Sequence, residues 1–241
     1  AKMMGIPLVI HEQNRIPGTT NRLLAKVANK VLQAFPDSFP VGKHAIFTGN
    51  PLRKQFTAVA KKPKQVRSDG LHILVLGGSL GAQRLNEVVP EALAMKDNIE
   101  VWHQTGQAMV KQVTQAYADK AVSAKVEPFI DDVVKAYAWA DLVICRAGAM
   151  TVSEVAAMGV PSILVPYPYA IDDHQTANAQ YLVNAGAGIM IAQQQLTVEF
   201  LVEQIKQNTL QLDAMSEAAS LSAKLDATER VAEQCMLEAV V

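Results

Sequence analysis

One stretch, residues 141–168, limits what this chain can fold into more than any other. The run Leu-Val-Ile-Cys at 142–145 is apolar throughout, which is typical of a parallel strand buried on both faces. A turn of small residues follows at 146–149, and a helix is then predicted over 151–158, before a second buried strand at 161–165. This strand–turn–helix–strand order predicts an α/β fold built on a parallel sheet.

The turn before this helix is a candidate anion site. The N–H groups of a first helical turn have no partner within the helix, and the helix dipole favours negative charge there, so the turn suits a diphosphate. Glu154, one turn into the helix, could accept hydrogen bonds from both hydroxyls of a ribose. With Thr151 it also matches a capping box, in which the carboxylate only satisfies a backbone N–H. These residues alone support both interpretations equally.

Composition excludes several classes of protein. Half of the 241 residues are apolar, which is enough for a sizeable core in one large domain or two unequal ones. Lysine plus arginine (22) nearly equals aspartate plus glutamate (23), so the chain has no excess of positive charge that would indicate nucleic-acid binding. No apolar run is long enough to cross a bilayer. Cys145 and Cys235 have no metal-type spacing and little support as a disulfide, which fits a reducing cytosol.

The order of the elements predicts two α/β units. The first holds short strands at 6–10 and 31–35 around a helix at 19–28, and a lysine-rich stretch then reads as a linker. From Leu71 strands and helices alternate, which predicts a parallel sheet covered on both faces, and one long helix is expected over 212–238. The chain opens like the end of a βαβ unit, so we expect it to begin inside a domain. The predicted divisions are a first unit, a linker and a second unit, at 1–48, 49–70 and 71–241.

Other candidate site residues follow strands or begin helices. The segment Gly-Gly-Ser-Leu-Gly-Ala-Gln at 77–83 is a second candidate phosphate loop, in which Ser79 adds a hydroxyl, although it matches neither a Walker A loop nor a dinucleotide fingerprint. The polar run at 11–14 ends a strand but reads as an ordinary loop. Arg53 is either a solvated charge or a group that reaches a phosphate. Backbone groups at 129–131 could pair with a base edge.

Two further polar residues are assigned structural roles, and two more are considered as metal ligands. Asp131 is most simply a helix N-cap, and His103 a hydrogen-bonded structural histidine. The adjacent Asp172 and Asp173 invite a metal interpretation, but the chain has no Asp-x-Asp spacing and no cluster of histidine ligands. We therefore expect no metal site.

Five stretches, in order along nearly the whole chain, resemble the MurG family of bacterial peptidoglycan glycosyltransferases. They are HEQN (11–14), GNPLR (49–53), GGSLGAQ (77–83), RAGAMTVSE with its following strand (146–168) and DDHQTANA (172–179). The Gly-rich loop and histidine with which that family begins do not precede Ala1. The resemblance therefore implies the tail of an N-terminal domain, a linker and a whole C-terminal domain.

The resemblance also implies a fold and a reaction. The fold is GT-B, in which two Rossmann-like domains face a cleft. The reaction is an inverting transfer of N-acetylglucosamine from UDP-N-acetylglucosamine to the C4 hydroxyl of lipid I, the undecaprenyl-diphosphate-linked acceptor, to form lipid II without a metal cofactor. The family acts at the cytoplasmic face of the inner membrane as a peripheral protein, and both the general base and the membrane contact are expected in the missing N-terminal part.

Roles for individual residues are carried over from the family. Glu154 takes the ribose hydroxyls, and the backbone of Ile130 reads the uracil edge. Ser79, with the turns at Gly78 and 149–151, takes the diphosphate.

The remaining roles concern the sugar and one phosphate. Gln175 and Asn14 address sugar hydroxyls, and Arg53 belongs to the donor site with a role at phosphate. Many relatives have Gln-Gln where this chain has His174 and Gln175, so the role rests on Gln175. The complete set expected to bind the donor is Asn14, Arg53, Ser79, Ile130, Ala149, Met150, Thr151, Val152, Ser153, Glu154 and Gln175.

Two other functions stay open at this point. A UDP-N-acetylglucosamine 2-epimerase shares the fold and the donor but needs acid and base residues, for which His11 and Glu12 are available. A module that binds a nucleotide sugar without turnover is the second alternative, and it applies above all to a chain without the N-terminal part.

Overall fold

The computed structural model describes residues 4–59, 70–78 and 82–239, which form two sheets. The first sheet has three strands in the order β1-β2-β3, the second has six in the order β6-β5-β4-β7-β8-β9, and all neighbours are parallel. The predicted α/β class with parallel sheets is confirmed. The strands are β1 (Val9–Glu12), β2 (Lys30–Gln33), β3 (Ile46–Phe47), β4 (Leu71–Leu76), β5 (Ile99–Gln104), β6 (Ala124–Glu127), β7 (Leu142–Cys145), β8 (Ser162–Leu164) and β9 (Gly188–Met190).

Helices connect these strands and cover the sheets. Among the described residues none of them is both long enough and apolar enough to cross a membrane. The helices are α1 (Thr19–Leu24), α2 (Lys54–Val59), α3 (Gln83–Leu93), α4 (Val110–Asp119), α5 (Val133–Trp139), α6 (Ala149–Met158), α7 (His174–Asn184), α8 (Val198–Thr209), α9 (Leu212–Ser222) and α10 (Ala227–Ala239).

The six-stranded sheet is built from the apolar runs that the sequence predicts. All residues of β4 and β7 are buried. Because successive side chains of a strand point to opposite faces, Leu74 and Val143 join one core cluster while Ile73 and Leu142 join the other. The connections from β4 and β7 lead to opposite sides of the sheet, so a crevice opens at the carboxyl ends of these two strands.

Helix α6 ends where the sequence predicts. Gly159 adopts a left-handed φ of 62°, which a residue with a β-carbon adopts only with strain. Its carbonyl accepts a hydrogen bond from the Ser216 hydroxyl of α9 at 2.6 Å, and a β-carbon at Gly159 would collide with the Ser220 hydroxyl. The end of α6 is therefore fixed by its packing against α9.

The single helix predicted over 212–238 is wrong. The backbone of Ala223 is extended, and it separates α9 from α10. The physical reason is that the two helices have different partners. While α9 packs on α6, α10 returns to the first sheet, where Glu238 pairs with Lys30 of β2 at 3.6 Å and the Thr228 hydroxyl reaches the Leu52 carbonyl at 3.5 Å. One straight helix could not contact both α6 and the first sheet.

The first unit is smaller than predicted. Strand β1 begins at Val9, whereas the prediction began at residue 6, and α1 ends at Leu24, four residues early. Leu23 and Val27, which the helical spacing places on one apolar face, are exposed. The domain divisions at 48 and 70 stay predictions, and the segment between them contains α2 with a fully buried Phe56.

His103 is a structural histidine, as predicted. Its ring lies between the Tyr117 hydroxyl and the Asn86 side-chain oxygen, 3.0 Å from each. It is completely buried, and this burial lowers its pKa to about 3. The folded protein therefore holds this imidazole neutral in mildly acidic solution.

We predict that His103→Gln removes part of the acid sensitivity of the fold. Below pH 6.5, the ordinary pKa of the residue, the unfolded chain takes up a proton that the folded chain refuses until about pH 3. Stability is then lost as pH falls, by about 1.4 kcal/mol per pH unit from this residue. Urea unfolding between pH 4 and 8 measures the slope. The exposed His44→Asn is the control and should keep it. An identical slope in His103→Gln and the unaltered chain would contradict the assignment.

Candidate functional site

An open cavity of about 1090 Å³ lies at the carboxyl ends of the central strands of the six-stranded sheet. This is the crevice between β4 and β7, where open α/β sheets bind ligands. Residues from four strand ends line it: Gly77 and Gly78 after β4, Thr105 after β5, Arg146 and Gly148 after β7, and Tyr167 and Tyr169 after β8.

The first turn of α6 forms part of this lining. Gly148 is the N-cap and Ala149 the first helical residue, and both Gly148 and Thr151 face the cavity. The side chains of Ala149 and Val152 are buried, and Met150 packs against the core. Because of this packing, Ala149 and Met150 can offer a ligand little besides their backbone N–H groups, while the Val152 N–H already donates to the Gly148 carbonyl at 2.9 Å.

The capping interpretation of Glu154 is wrong. The helix begins at Ala149, two residues earlier than predicted, so Thr151 is not the N-cap and no side chain caps this end. The Glu154 carboxylate instead accepts a hydrogen bond from the Tyr137 hydroxyl at 3.3 Å. Burial raises the pKa of Glu154 above its ordinary value, whereas the Tyr137 hydrogen bond and the charge of Arg53 lower it.

Arg53, directly before α2, is close enough for its charge to act on this carboxylate. Phe56 is fully buried, and its ring centroid lies 6.0 Å from that of Tyr137. The Arg53 guanidinium carbon lies 5.4 Å from the Phe56 centroid, and its positive charge acts on both Glu154 and Tyr137. Arg53 itself is exposed. Neither Arg53 nor Glu154 lines the large cavity, although Glu154 lies on α6, the helix whose first turn does.

Ile130 lies on the segment that precedes α5. Its side chain is buried at 3% exposure, so only its main chain is available to a ligand. The neighbouring Phe129 is exposed. The predicted N-cap at Asp131 is wrong: Asp132 caps α5 and accepts a hydrogen bond from the Lys135 N–H at 3.0 Å.

Gln175 joins the two loops that flank the cavity. Its side-chain oxygen accepts from the Ala147 N–H at 3.2 Å and from the Tyr167 N–H at 2.9 Å. With that oxygen used twice, the amide nitrogen is the group that Gln175 can offer to a ligand, and it can only donate.

Arg146, which sequence reasoning did not select, lies on the same wall. Its guanidinium donates to the carbonyls of Val165 and Pro166 at 3.1 and 3.2 Å, and to the Gln193 side chain at 2.6 Å. The sequence feature that indicates a role for Arg146 is its position as the first residue after β7.

The HEQN loop is organised by a buried carboxylate. Glu12 is 3% exposed, and its oxygens accept from the N–H groups of Asn14 and Gly18 at 2.8 and 3.0 Å and from the Asn21 amide at 2.9 Å. Both oxygens are thus engaged, and the resulting loop places Asn14 beside the second unit.

Asn178 fastens this loop to the second unit. This fully buried residue donates to the Asn14 side-chain oxygen at 3.2 Å and to the Ala147 carbonyl at 3.3 Å, and it accepts from the Arg15 N–H at 2.9 Å. It thereby sets the distance between Asn14 and the turn before α6. Asn178 lies within the DDHQTANA run at 172–179, but nothing local in the sequence indicates this role.

Ser153 belongs to a second junction between the units. Its hydroxyl accepts from the Asn50 amide at 3.1 Å and donates to the Ala149 carbonyl at 3.0 Å. The same Asn50 amide donates to the Gln13 carbonyl at 3.1 Å. Ser153 therefore serves the junction in this structure.

The remaining predicted residues are Ser79, with the neighbouring Gly78, and the pair Asp172 and Asp173. Ser79 lies outside the described residues. Gly78 has a left-handed φ of 83°, with open space around the position of a β-carbon. Asp172 pairs with Arg22 at 3.3 Å, and Asp173 accepts from Thr176 at 2.6 Å. Within the ranges that the structure describes, no group of three or more acidic, histidine or cysteine side chains could hold a metal.

Two parallel sheets, with an open cavity at the strand-order reversal of the larger one, fit the GT-B class of nucleotide-sugar enzymes, and the comparisons with known proteins show that class. Residues 72–232 match the glycosyltransferase family 28 C-terminal domain, and residues 1–33 match the N-terminal domain of the same family. The chain belongs to glycosyltransferase family 28 and, within it, to the MurG family.

Curated relatives cover nearly the whole chain. A protein of Methylococcus capsulatus is 54% identical over 99% of this chain and 68% of its own length, and one of Shewanella sp. is 49% identical over 98% and 67%. Both are named UDP-N-acetylglucosamine–N-acetylmuramyl-(pentapeptide) pyrophosphoryl-undecaprenol N-acetylglucosamine transferase. The chain thus spans about two thirds of the length of these relatives.

Solved structures agree with this assignment. The crystal structure of MurG from Acinetobacter baumannii has a TM-score of 0.85 at 41% identity, covering 97% of this chain and 68% of that one. A UDP-GlcNAc 2-epimerase from Neisseria meningitidis bound to UDP-GlcNAc has a TM-score of 0.64 at 12% identity, over 97% and 70%. The second likeness shows the fold alone.

We predict that Asn178→Ala loosens the junction between the two units. It removes the partner of the Arg15 N–H and the Ala147 carbonyl, which should lower the free energy of unfolding by about 1–3 kcal/mol. Amide exchange at residues 13–18 should become faster. Asn184→Ala, at an exposed position of the same helix, is the control. Unchanged exchange at 13–18 would contradict this role for Asn178.

Proposed function

We propose that this chain carries the donor-binding half of a MurG-type N-acetylglucosaminyltransferase. Its reaction is the transfer of N-acetylglucosamine from UDP-N-acetylglucosamine to lipid I, which forms lipid II. The observation that carries the proposal is the first turn of α6, which lines the cavity through Gly148 and Thr151 while Glu154, one turn on, is free of any capping role. The names of the curated relatives support the same donor and acceptor.

The diphosphate of the donor is proposed to bind at the start of α6. The N–H groups of residues 149–151 belong to the first turn and have no carbonyl partner within the helix. They and the helix dipole favour an anion. Gly78, with its open backbone, and Ser79 are proposed to approach the same phosphates from the opposite side of the crevice.

The nucleoside is proposed to bind on the side of α6 that carries Glu154. The carboxylate would accept from the ribose hydroxyls, and the main chain at Ile130 would pair with the uracil edge. Because Arg53 lies beside Glu154, we propose that its charge acts at this nucleoside end, which revises the expected role at phosphate. Gln175, through its amide nitrogen, and Asn14 are proposed to contact the sugar.

The chemistry follows from this arrangement. The C4 hydroxyl of the acceptor would attack the anomeric carbon as the bond to UDP breaks, which inverts the configuration in one displacement. Negative charge then develops on the leaving diphosphate, where fixed N–H groups and a helix dipole stabilise it most. We propose that this reaction needs no metal and that its general base belongs to the acceptor-binding part of the relatives, at the cytoplasmic face of the membrane.

The two alternatives have less support. An epimerase would need acid and base groups at the sugar, yet His11 bonds the Gly49 carbonyl at 3.0 Å, Glu12 is buried with both oxygens engaged, and neither residue lines the cavity. The other alternative is a module that binds the donor without turnover. Incubation with donor and a lipid I analogue distinguishes it from a transferase, because only a transferase would form product.

We predict that Glu154→Ala weakens UDP binding by about 100-fold or more, because two hydrogen bonds to a charged acceptor are lost. The variant should still fold, with a free energy of unfolding lowered by about 1–3 kcal/mol because the buried Tyr137 hydroxyl loses its acceptor. Titration calorimetry and thermal melts measure the two effects. Glu154→Gln keeps the side-chain shape and an acceptor for Tyr137, so its UDP affinity should lie between those of the unaltered chain and Glu154→Ala. Glu217→Ala, at an exposed position, is the control. Full UDP binding by Glu154→Ala would contradict the ribose assignment.

We also predict that UDP binds equally well in the presence of a strong chelator and of added Mg²⁺. The side chains near the phosphates are proposed to act without a bridging ion. The calorimetric titration is repeated in both buffers with metal-free protein. A sharp fall in affinity with chelator would contradict metal independence and direct attention to Asp172 and Asp173 as ligands.

A further inference from the structure

Two tyrosines that the proposed function leaves unused stand in the wall of the cavity. Tyr167 and Tyr169 both line it, and they are 44% and 78% exposed. Their ring centroids are 5.6 Å apart at an interplanar angle of 72°, which is the edge-to-face arrangement that aromatic pairs favour. Exposed aromatic rings in the wall of an open cavity mark a binding surface for a ligand with an apolar face.

The loop that carries these rings is held in place on several sides. Pro166 and Pro168 flank Tyr167 and restrict its backbone. The Tyr167 N–H donates to Gln175 at 2.9 Å, and its carbonyl accepts from the Ala170 N–H at 3.2 Å. The position of the first ring is thus tied directly to Gln175, the residue proposed to donate to the sugar.

Arg146 supports the same ring from the cavity wall. Its guanidinium carbon lies 5.6 Å from the Tyr167 centroid, within the range of a cation–π contact. Three acceptors fix this guanidinium: the carbonyls of Val165 and Pro166 and the side chain of Gln193. The Tyr167 ring is therefore arranged before any ligand arrives, which lowers the entropic cost of binding, and the Tyr169 ring contacts it.

The surroundings of the rings select among the parts of a nucleotide sugar. A phosphate gains nothing from an aromatic ring, and the nucleoside is proposed to lie by Glu154 and Ile130. A hexose has a C–H face that packs on an aromatic ring and a hydroxyl edge that takes donors such as the Gln175 amide. We propose that Tyr167 and Tyr169 form the platform for the hexose ring of the donor and set the preference for the sugar nucleotide over UDP. This inference rests on the proposed function.

The test compares two ligands on the same chain. Calorimetric titrations with UDP and with UDP-N-acetylglucosamine are made on the unaltered chain, Tyr167→Ala, Tyr169→Ala and Tyr169→Phe. Each alanine variant should lose about three- to tenfold in affinity for the sugar nucleotide while its affinity for UDP stays within about twofold. Tyr169→Phe keeps the ring and should bind the sugar nucleotide like the unaltered chain. Phe200→Ala, at a partly exposed aromatic on α8 outside the cavity, is the matched control.

Three outcomes would overturn the platform. They are unchanged affinity of both alanine variants for the sugar nucleotide, an equal loss for both ligands, which would place the rings against the nucleotide, and a loss in Tyr169→Phe as large as in Tyr169→Ala. A chain that binds neither ligand in its unaltered form would overturn the proposed function and this inference with it. If UDP still binds to every variant while one of the three outcomes above is found, the platform is wrong and the proposed function stands.

Discussion

The placement of the first turn of α6 at the carboxyl end of β7 is the constraint on which the rest of this structure depends. The fully buried β7 fixes one end of the turn, and the left-handed Gly159, locked against α9, fixes the far end of the helix. Between these two points the side chains of Ala149 and Val152 enter the core. The backbone of the turn is consequently left as the face that meets the cavity.

The loops around this turn are connected to it by side-chain amides. Gln175 joins it to the β8–α7 loop, Asn178 joins it to the HEQN loop, and Asn50 reaches Ser153 one turn further on. Amides suit this task because each has both a donor and an acceptor and stays neutral at every physiological pH. The result is a polar junction between two sheets whose hydrogen-bond groups are largely paired before a ligand binds.

Sequence predicted the parts of this arrangement that depend on local pattern. The apolar runs predict the bounds of β4 and β7 closely, because burial on both faces selects an apolar residue at each position of these strands. Gly159 marks the end of α6, because the left-handed backbone at a helix end favours glycine. The predicted start of α6 is two residues late because Thr151 and Glu154 have the spacing of a capping box. The break between α9 and α10 is stabilised by partners on different sheets, and its local signal is Asp226 directly before α10, with Glu229 three residues later. Asn178 and Arg146 acquire their roles only when distant loops meet.

The central claim is that the backbone at the start of α6 binds the diphosphate while Glu154 binds the ribose. A crystal structure of this chain with UDP tests it most directly. The account predicts phosphate oxygens within hydrogen-bond distance of the N–H groups of residues 149–151, and both ribose hydroxyls on the Glu154 carboxylate. UDP bound elsewhere in the cavity, with the first turn of α6 unoccupied and Glu154 still bonded only to Tyr137, would contradict it.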